Sequence, residues 1–287
     1  MILKRKSFPL MSAFLNIALP MITLFVCLAS AAPRETILHS FQGFDGKVPF
    51  SRLVFDAAGN LYGTAQRGGD FGMGVAFELS PDVSFGWKET VLYSFTGEAD
   101  GASPGPYLSI DRAGNLYGTA GGGANSKGVV FELSPNGSTW TETVLYNFCS
   151  QPNCTDGAYP DLGLVKDKAG NLYGVTTTGT YPGTIFQLSH NKSGWKHTVI
   201  YVSDVAGIIG MSLDKEGNLY GVSPALGLYD GGFVLELSPN GSGGWNPNVI
   251  YNFSYGREGK GAAYPSAKLI LDAGGNLYGT TFYGGTL

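Results

Sequence analysis

Histidine and charge are what this sequence has least of: 3 histidines in 287 residues, and charged residues at only 14%. With 43% hydrophobic residues beside so little charge, disorder driven by charge repulsion is excluded. No window shows the three-and-four spacing of apolar residues that a helix needs, so a helical fold is excluded as well. Cysteine is scarce too, with three in the chain: Cys27, Cys149 and Cys154. The formal net charge is −4, and without Lys4, Arg5 and Lys6 it becomes −7, which excludes a nucleic-acid-binding surface. Gly121-Gly-Gly-Ala-Asn-Ser-Lys127 has the look of a phosphate loop. It lacks the Gly before Lys, a following Ser or Thr, and a helix after it, so no nucleotide and no cofactor of any kind is expected.

The first residues differ from the rest. Lys4-Arg5-Lys6 is a positive start, Met11 to Leu28 is an apolar run, and Ala29-Ser30-Ala31 fits a small-residue cleavage site. A cleaved signal peptide over residues 1–31 is the favoured reading, with an uncleaved N-terminal anchor as the alternative. Val26 is too large for the lipoprotein processing that Cys27 would need. The expectation is an exported protein, secreted or held in the periplasm or at the cell surface, with no membrane span in the mature chain. Cys149 and Cys154 are then the only cysteines left, and an even pair this close in an oxidising compartment predicts a local disulfide.

Glycine, at 44 residues, and the aromatics are abundant, and they recur in register. The pentapeptide Gly59-Asn60-Leu61-Tyr62-Gly63 returns at Gly114, Gly170, Gly217 and Gly275, at steps of 55, 56, 47 and 58 residues. Periods near 50 point to solenoids or propellers. Each copy sits in a longer pattern. The third segments are Phe77-Glu-Leu-Ser-Pro81, Phe131 to Pro135, Phe186 to His190 and Leu235 to Pro239. Trp87, Trp140, Trp195 and Trp245 each open a fourth segment ending at Tyr93, Tyr146, Tyr201 and Tyr251. Short β-branched and aromatic runs parted by Gly-Asn, Gly-Gly and Pro-Asn are strands and turns. The predicted fold is therefore all-β: a β-propeller of about five four-stranded units in one domain, residues 32–287. The units fall at about 35–95, 96–148, 149–203, 204–253 and 254–287, the last incomplete.

Periodicity also supplies a bland role for most of the polar residues. Asp56, Asp111, Asp167, Asp214 and Asp272 each precede Gly-Asn by two intervening residues, where an Asp closes the turn through backbone N–H bonds. Calcium would need six or more oxygens in one place, and these turns belong to different units. His39, His190 and His197 stand where other units have Tyr93, Pro135 and Glu142, so neither a catalytic triad nor a metal site is expected.

The combined pattern, Asp-x-x-Gly-Asn-Leu-Tyr-Gly, Gly-Gly, Val-Phe-Glu-Leu-Ser-Pro and Trp-x-x-Thr-Val-Leu-Tyr-x-Phe, resembles the GloVer-type tandem repeat of bacterial choice-of-anchor proteins. It covers Glu35 to Leu287. The resemblance implies a propeller-like, secreted or surface-displayed protein with a variable C-terminal anchoring tail, and it supplies no catalytic residues. The sequence is expected to depart from that family in lacking such a tail. Glu35 to Phe41 matches Glu89 to Phe95, so the chain opens on an isolated fourth strand, while the last unit stops after its second. The expectations are a truncated copy of a longer protein or a five-unit ring with a defective closing unit.

Function is expected on the end of the units that carries the variable loops. The candidates there are Asp70 and Phe71, Tyr181, Tyr229 and Asp230, with Asp45, Asp100 and Asp156 in the Asp-Gly links. Acidic and aromatic side chains on Gly-rich loops suit a glycan or protein ligand bound by a monomer. Alternatives are a carbohydrate-active hydrolase or lyase using a pair among Asp70, Asp156 and Asp230, and a structural surface repeat with no ligand.

Overall fold

Turn chemistry decides where the strands begin and end. In the first unit Asp56 N–H donates to Asn60 O and Gly59 N–H donates to Asp56 O, at 3.1 and 3.3 Å. Gly59 has φ +91°, a conformation that L side chains avoid, and Gly114, Gly170, Gly217 and Gly275 share it. The computed structural model describes residues 35–84, 86–177, 183–203, 207–254 and 261–284. The expected signal peptide, residues 1–31, lies outside them, as does Tyr181. Contacts divide the chain into residues 1–37 and residues 38–287, and every strand belongs to the second of these units.

Four antiparallel sheets, each built from consecutive strands, make up most of the molecule. The first holds β1 (Val54–Phe55), β2 (Leu61–Ala65), β3 (Val75–Asp82) and β4 (Gly86–Ser94). In the second, β5 (Ala102–Pro104) and β6 (Ser109–Ile110) both pair with β7 (Leu116–Gly121), followed by β8 (Val129–Asn136) and β9 (Thr139–Asn147). The third is β10 (Leu164–Lys166), β11 (Leu172–Val175), β12 (Thr184–Asn191) and β13 (Gly194–Val202). The fourth is β14 (Met211–Leu213), β15 (Leu219–Ser223), β16 (Phe233–Pro239) and β17 (Trp245–Asn252). Two short pairs follow: β18 (Ala263–Pro265) with β21 (Thr281–Tyr283), and β19 (Ile270–Leu271) with β20 (Leu277–Tyr278). Among the described residues this last unit has the counterparts of a first and second strand only. No described helix is long and apolar enough to cross a membrane.

The second glycine of each pentapeptide is a packing device. A Cβ on Gly63, Gly118 or Gly174 would stand 2.7, 2.5 or 2.6 Å from the ring tip of Phe77, Phe131 or Phe186 on the next strand. All four sheets carry a bulge at one place between third and fourth strands, as between Ala76 and Phe77. A bulge changes which way the following side chains point, and here it precedes the tyrosine that closes each fourth strand.

Consecutive sheets share cores. Tyr62, Ala76 and Leu92 of the first cluster with Leu108, Leu116 and Phe131 of the second. Tyr117, Val130 and Phe148 join Leu164, Leu172 and Phe186, and Tyr173 and Ile185 join Met211, Leu219 and Leu235. Phe95 meets Phe131 edge-on at 5.1 Å, Phe148 meets Phe186 at 5.0 Å, and Phe41 meets Phe77 at 4.9 Å. Phe41 thus packs on the first sheet as the end of a preceding fourth strand would. Residues 38–41, however, form no strand pairing. The expectation of a fourth strand at the N-terminus holds for side-chain packing and fails for the hydrogen-bond ladder.

Candidate functional site

The repeated acids are structural wherever a turn encloses them. Asp56 Oδ1 accepts from the Ala58 and Asn60 N–H groups, and its Oδ2 accepts from Asn60 Nδ2 and the Tyr62 hydroxyl. Asn and Tyr of the pentapeptide are therefore there to hold the Asp. Asp111, Asp167, Asp214 and Asp272 take the same bonds from their own Asn and Tyr. Burial works against ionisation of Asp56, Asp111 and Asp214, yet the hydrogen bonds outweigh it and hold each carboxyl below its ordinary value. Lys166 Nζ adds a charged bond to Asp111 at 2.9 Å.

The link aspartates, expected on the ligand surface, are instead buried. Asp45, Asp100 and Asp156 are 4%, 8% and 2% exposed. Asp100 accepts from Tyr93 OH, Thr96 N–H and the Thr96 hydroxyl at 3.0, 2.7 and 2.5 Å. Asp156 accepts from Tyr146 OH at 2.6 Å and from the N–H groups of Ser150 and Gln151. Asp45 holds His39 Nε2 at 2.9 Å and accepts from the N–H groups of Gln42 and Gly43. Each Asp caps its own loop, which the Asp-Gly spelling did not distinguish from a ligand role. Burial would raise Asp45 and Asp100, but these bonds hold both carboxyls low.

A third side chain joins each link aspartate from the fourth strand of the following sheet. The pairs become His39–Asp45–Glu89, Tyr93–Asp100–Glu142 and Tyr146–Asp156–His197. Glu89, Glu142 and His197 occupy one register position, opposite Leu79, Leu133 and Leu188. Glu89 Oε1, Glu142 Oε1 and His197 Nε2 are buried with no hydrogen-bond partner. Burial, with the nearby Asp45 charge adding to it and His39 offsetting it, pushes Glu89 up to about 7. Burial and then Asp100 push Glu142 up to about 7. Burial pulls His197 down to about 4 against the pull of Asp156. The third cluster opens into a cavity of about 370 Å³ that includes Tyr146, Thr155, Asp156 and His197.

The loop between β2 and β3 exposes Asp70 and Phe71, and the loop between β15 and β16 exposes Tyr229 and Asp230 beside Leu228. Both loops are tied to the end of a fourth strand. Asp70 N–H donates to Ser94 Oγ at 3.4 Å, Leu228 N–H to Asn252 Oδ1 at 2.9 Å, and Ala124 N–H in the second unit to Asn147 Oδ1 at 3.0 Å. Asp156, buried beneath its own loop, does not join Asp70 or Asp230 at the surface. The expected Cys149–Cys154 disulfide is present, in the loop that Asp156 caps.

Three other cavities bear on the architecture. Arg52, Tyr107, Leu164, Met211 and Lys268, from five successive units, line one space of about 180 Å³. Burial, and then the charge of Arg52, lowers the Lys268 pKa. Two open grooves of about 690 and 530 Å³ lie between neighbouring turns, Asp111 to Ala113 with Lys166 to Gly170, and Lys166 to Ala169 with Asp214 to Gly217. They fall at the turn end, where the repeated sequence varies least.

Among curated proteins, none is similar in sequence to this chain. Solved structures are similar at a distance. A Dyadobacter fermentans protein of unknown function is 12% identical with a TM-score of 0.47, covering 82% of this chain and 74% of its own. A Bacteroides uniformis protein provisionally named 6-phosphogluconolactonase is 14% identical with a TM-score of 0.46, covering 82% and 71%. One of the same provisional name from Bacteroides fragilis is 14% identical with a TM-score of 0.38, covering 80% and 82%. The repeat pattern is the stronger relation, because the Gloeobacter/Verrucomicrobia repeat matches residues 24–209. With its turns, strands and inter-sheet packing built from that pattern, the chain belongs to the Gloeobacter/Verrucomicrobia repeat family.

Proposed function

We propose that this is an exported β-propeller of about five units whose variable loops bind a glycan or protein ligand. Three observations support the ring. Successive sheets share cores, residues of five units line one space, and Arg52 of the first unit lies in that lining with Lys268 of the last. Export rests on the leader-like residues 1–31 and on a disulfide that needs an oxidising compartment.

The observation that carries the binding reading is the exposure of Phe71 and Tyr229, 56% and 58%, each beside an exposed carboxylate on a loop anchored to a strand end. An aromatic face stacks on the apolar side of a sugar ring while a carboxylate accepts its hydroxyls, and a fixed loop lowers the ordering cost. Binding alone needs no proton-transfer pair, and Asp156 is occupied by Tyr146 and its own loop.

The test is a glycan array probed with protein beginning at Ala32. Saturable binding without turnover is expected, weakened by Phe71→Ala or Tyr229→Ala with unfolding unchanged. Release of reducing ends would move the reading to a hydrolase. No binding across glycans and candidate protein partners would leave a structural repeat.

A further inference from the structure

We propose that His39, Asp45 and Glu89 form a binding site for a divalent transition-metal ion of the Zn2+ type. Among the described residues this is the group of His, Cys, Asp and Glu donors close enough to share an ion, with one ligand atom from each within 4.8 Å of the others. His39 Nε2 and Asp45 Oδ2 are 2.9 Å apart. Zinc binds nitrogen and oxygen donors at about 2.0–2.2 Å, which sets neighbouring donors of a tetrahedral site roughly 3.4 Å apart. The His–Asp pair lies within about half an ångström of that spacing, and small rotations of the Asp45 and Glu89 side chains would complete the set.

A second observation points to the same place. Glu89 Oε1 is buried and accepts no hydrogen bond. A carboxylate oxygen withdrawn from water without a partner is costly, and a cation is the partner that would relieve it. One imidazole and two carboxylates are a borderline nitrogen–oxygen set, suited to Zn2+ and its neighbours and too poor in oxygen for Ca2+. Three protein ligands leave a fourth position for water.

The chain carries its own controls. In the next cluster Tyr93 stands where His39 does, with Asp100 and Glu142 in the other two places. Its phenol stays protonated, since burial and then Asp100 push its pKa further up, and a protonated phenol is a poor zinc ligand. In the cluster after that, Tyr146 again replaces the imidazole and His197 replaces the Glu. Glu142 Oε1 and His197 Nε2 are orphaned as Glu89 Oε1 is, so the unpaired atom marks all three clusters. Only the first completes a ligand set.

The experiment is calorimetric titration of ZnCl2 into tag-free, chelator-stripped protein, with circular dichroism to monitor folding. The native chain is expected to bind one ion. His39→Tyr reproduces the neighbouring cluster, so it is expected to fold and to lose zinc binding, and Glu89→Gln is expected to weaken binding strongly. Tyr93→His, which gives the second cluster the donors of the first, is expected to raise the stoichiometry to two. A native chain that binds no zinc overturns the proposal. So does undiminished binding in folded His39→Tyr or Glu89→Gln, or a folded Tyr93→His protein that still takes a single ion.

Discussion

The imidazole of His197 lies flat against the ring of Tyr146, with centroids 4.3 Å apart and planes 11° apart. In the preceding sheet Glu142 fills the position of His197 beside Tyr93, and the two residues respond to burial in opposite directions. His197 is held neutral with its pKa lowered to about 4, and Glu142 has its pKa raised to about 7, which favours its protonated form well above the ordinary carboxylate range.

The two should therefore give opposite pH dependences. His197 contributes stability that is present above its unfolded pKa of about 6.5 and lost as pH falls towards 4. Glu142 contributes stability that is present below about 4.5 and lost as pH rises through about 7. Both side chains are partly solvated, so each effect is reduced to on the order of 1–2 kcal/mol. Urea unfolding at acid, neutral and mildly alkaline pH should show Glu142→Gln gaining on the native chain as pH rises. His197→Gln should lose less stability than the native chain on acidification. Parallel pH curves for variant and native protein would contradict both assignments.

Gly118→Ala would put a methyl group 2.5 Å from the Phe131 ring, which is fully buried. Overpacking of this kind costs about 1–3 kcal/mol. The fourth sheet shows the remedy, because Leu235 stands opposite Gly221 where the earlier sheets use Phe. Phe131→Leu should recover part of the loss, and a double-mutant cycle from thermal melts should show favourable coupling between the two changes.

Lys166 rests over the Tyr117 ring, 4.0 Å from its centroid, while it donates to Asp111. The equivalent positions in the other units are apolar: Phe55, Ile110, Leu213 and Leu271. Lys166→Leu should be tolerated within about 1 kcal/mol, because a partly exposed ion pair contributes little and Asp111 keeps its Asn115 and Tyr117 bonds. Asp111→Ala should cost about 2–3 kcal/mol, since it strips the bonds from Ala113, Asn115, Tyr117 and Lys166 at once. Equal losses in chemical denaturation would show that the pair, not the turn, carries the stability.

Thiol titration of unfolded, unreduced protein beginning at Ala32 should find no free cysteine. Replacing Cys149 and Cys154 together by Ser should cost about 2 kcal/mol, the closure entropy of so short a loop. The loss should be smaller still if the bonds to Asp156 from Tyr146 and Ser150 hold the loop unaided.

The repeat was legible in the sequence because each turn demands the same side chains. Asp56, Gly59, Asn60 and Tyr62 all serve a single hydrogen-bonded hairpin, so none can vary without the others. The link aspartates misled for a related reason. Asp45, Asp100 and Asp156 precede Gly as surface turn residues do, and only the inter-sheet packing shows that they are buried. Still less legible was the meeting of His39 with Glu89. Each reads as one member of a repeat position, and their proximity depends on how the unpaired segment before the first sheet lies against that sheet's fourth strand. Aligning Glu89, Glu142 and His197 as one column, and His39, Tyr93 and Tyr146 as another, was the signal available.

Each of the four main sheets is a meander of neighbouring segments, and this bears on how the molecule assembles. Each ladder closes across a loop of a few to about ten residues, so its entropic cost is small and no strand waits for a distant partner. A chain entering its folding compartment N-terminus first can therefore complete one sheet before the next arrives, laying each new face on the last. The slow step would be the one spanning the most sequence, when the Lys268 region meets the Arg52 region with which it lines one space. Refolding of chains shortened by one unit from the C-terminus would remove that step and leave the fast phases in place.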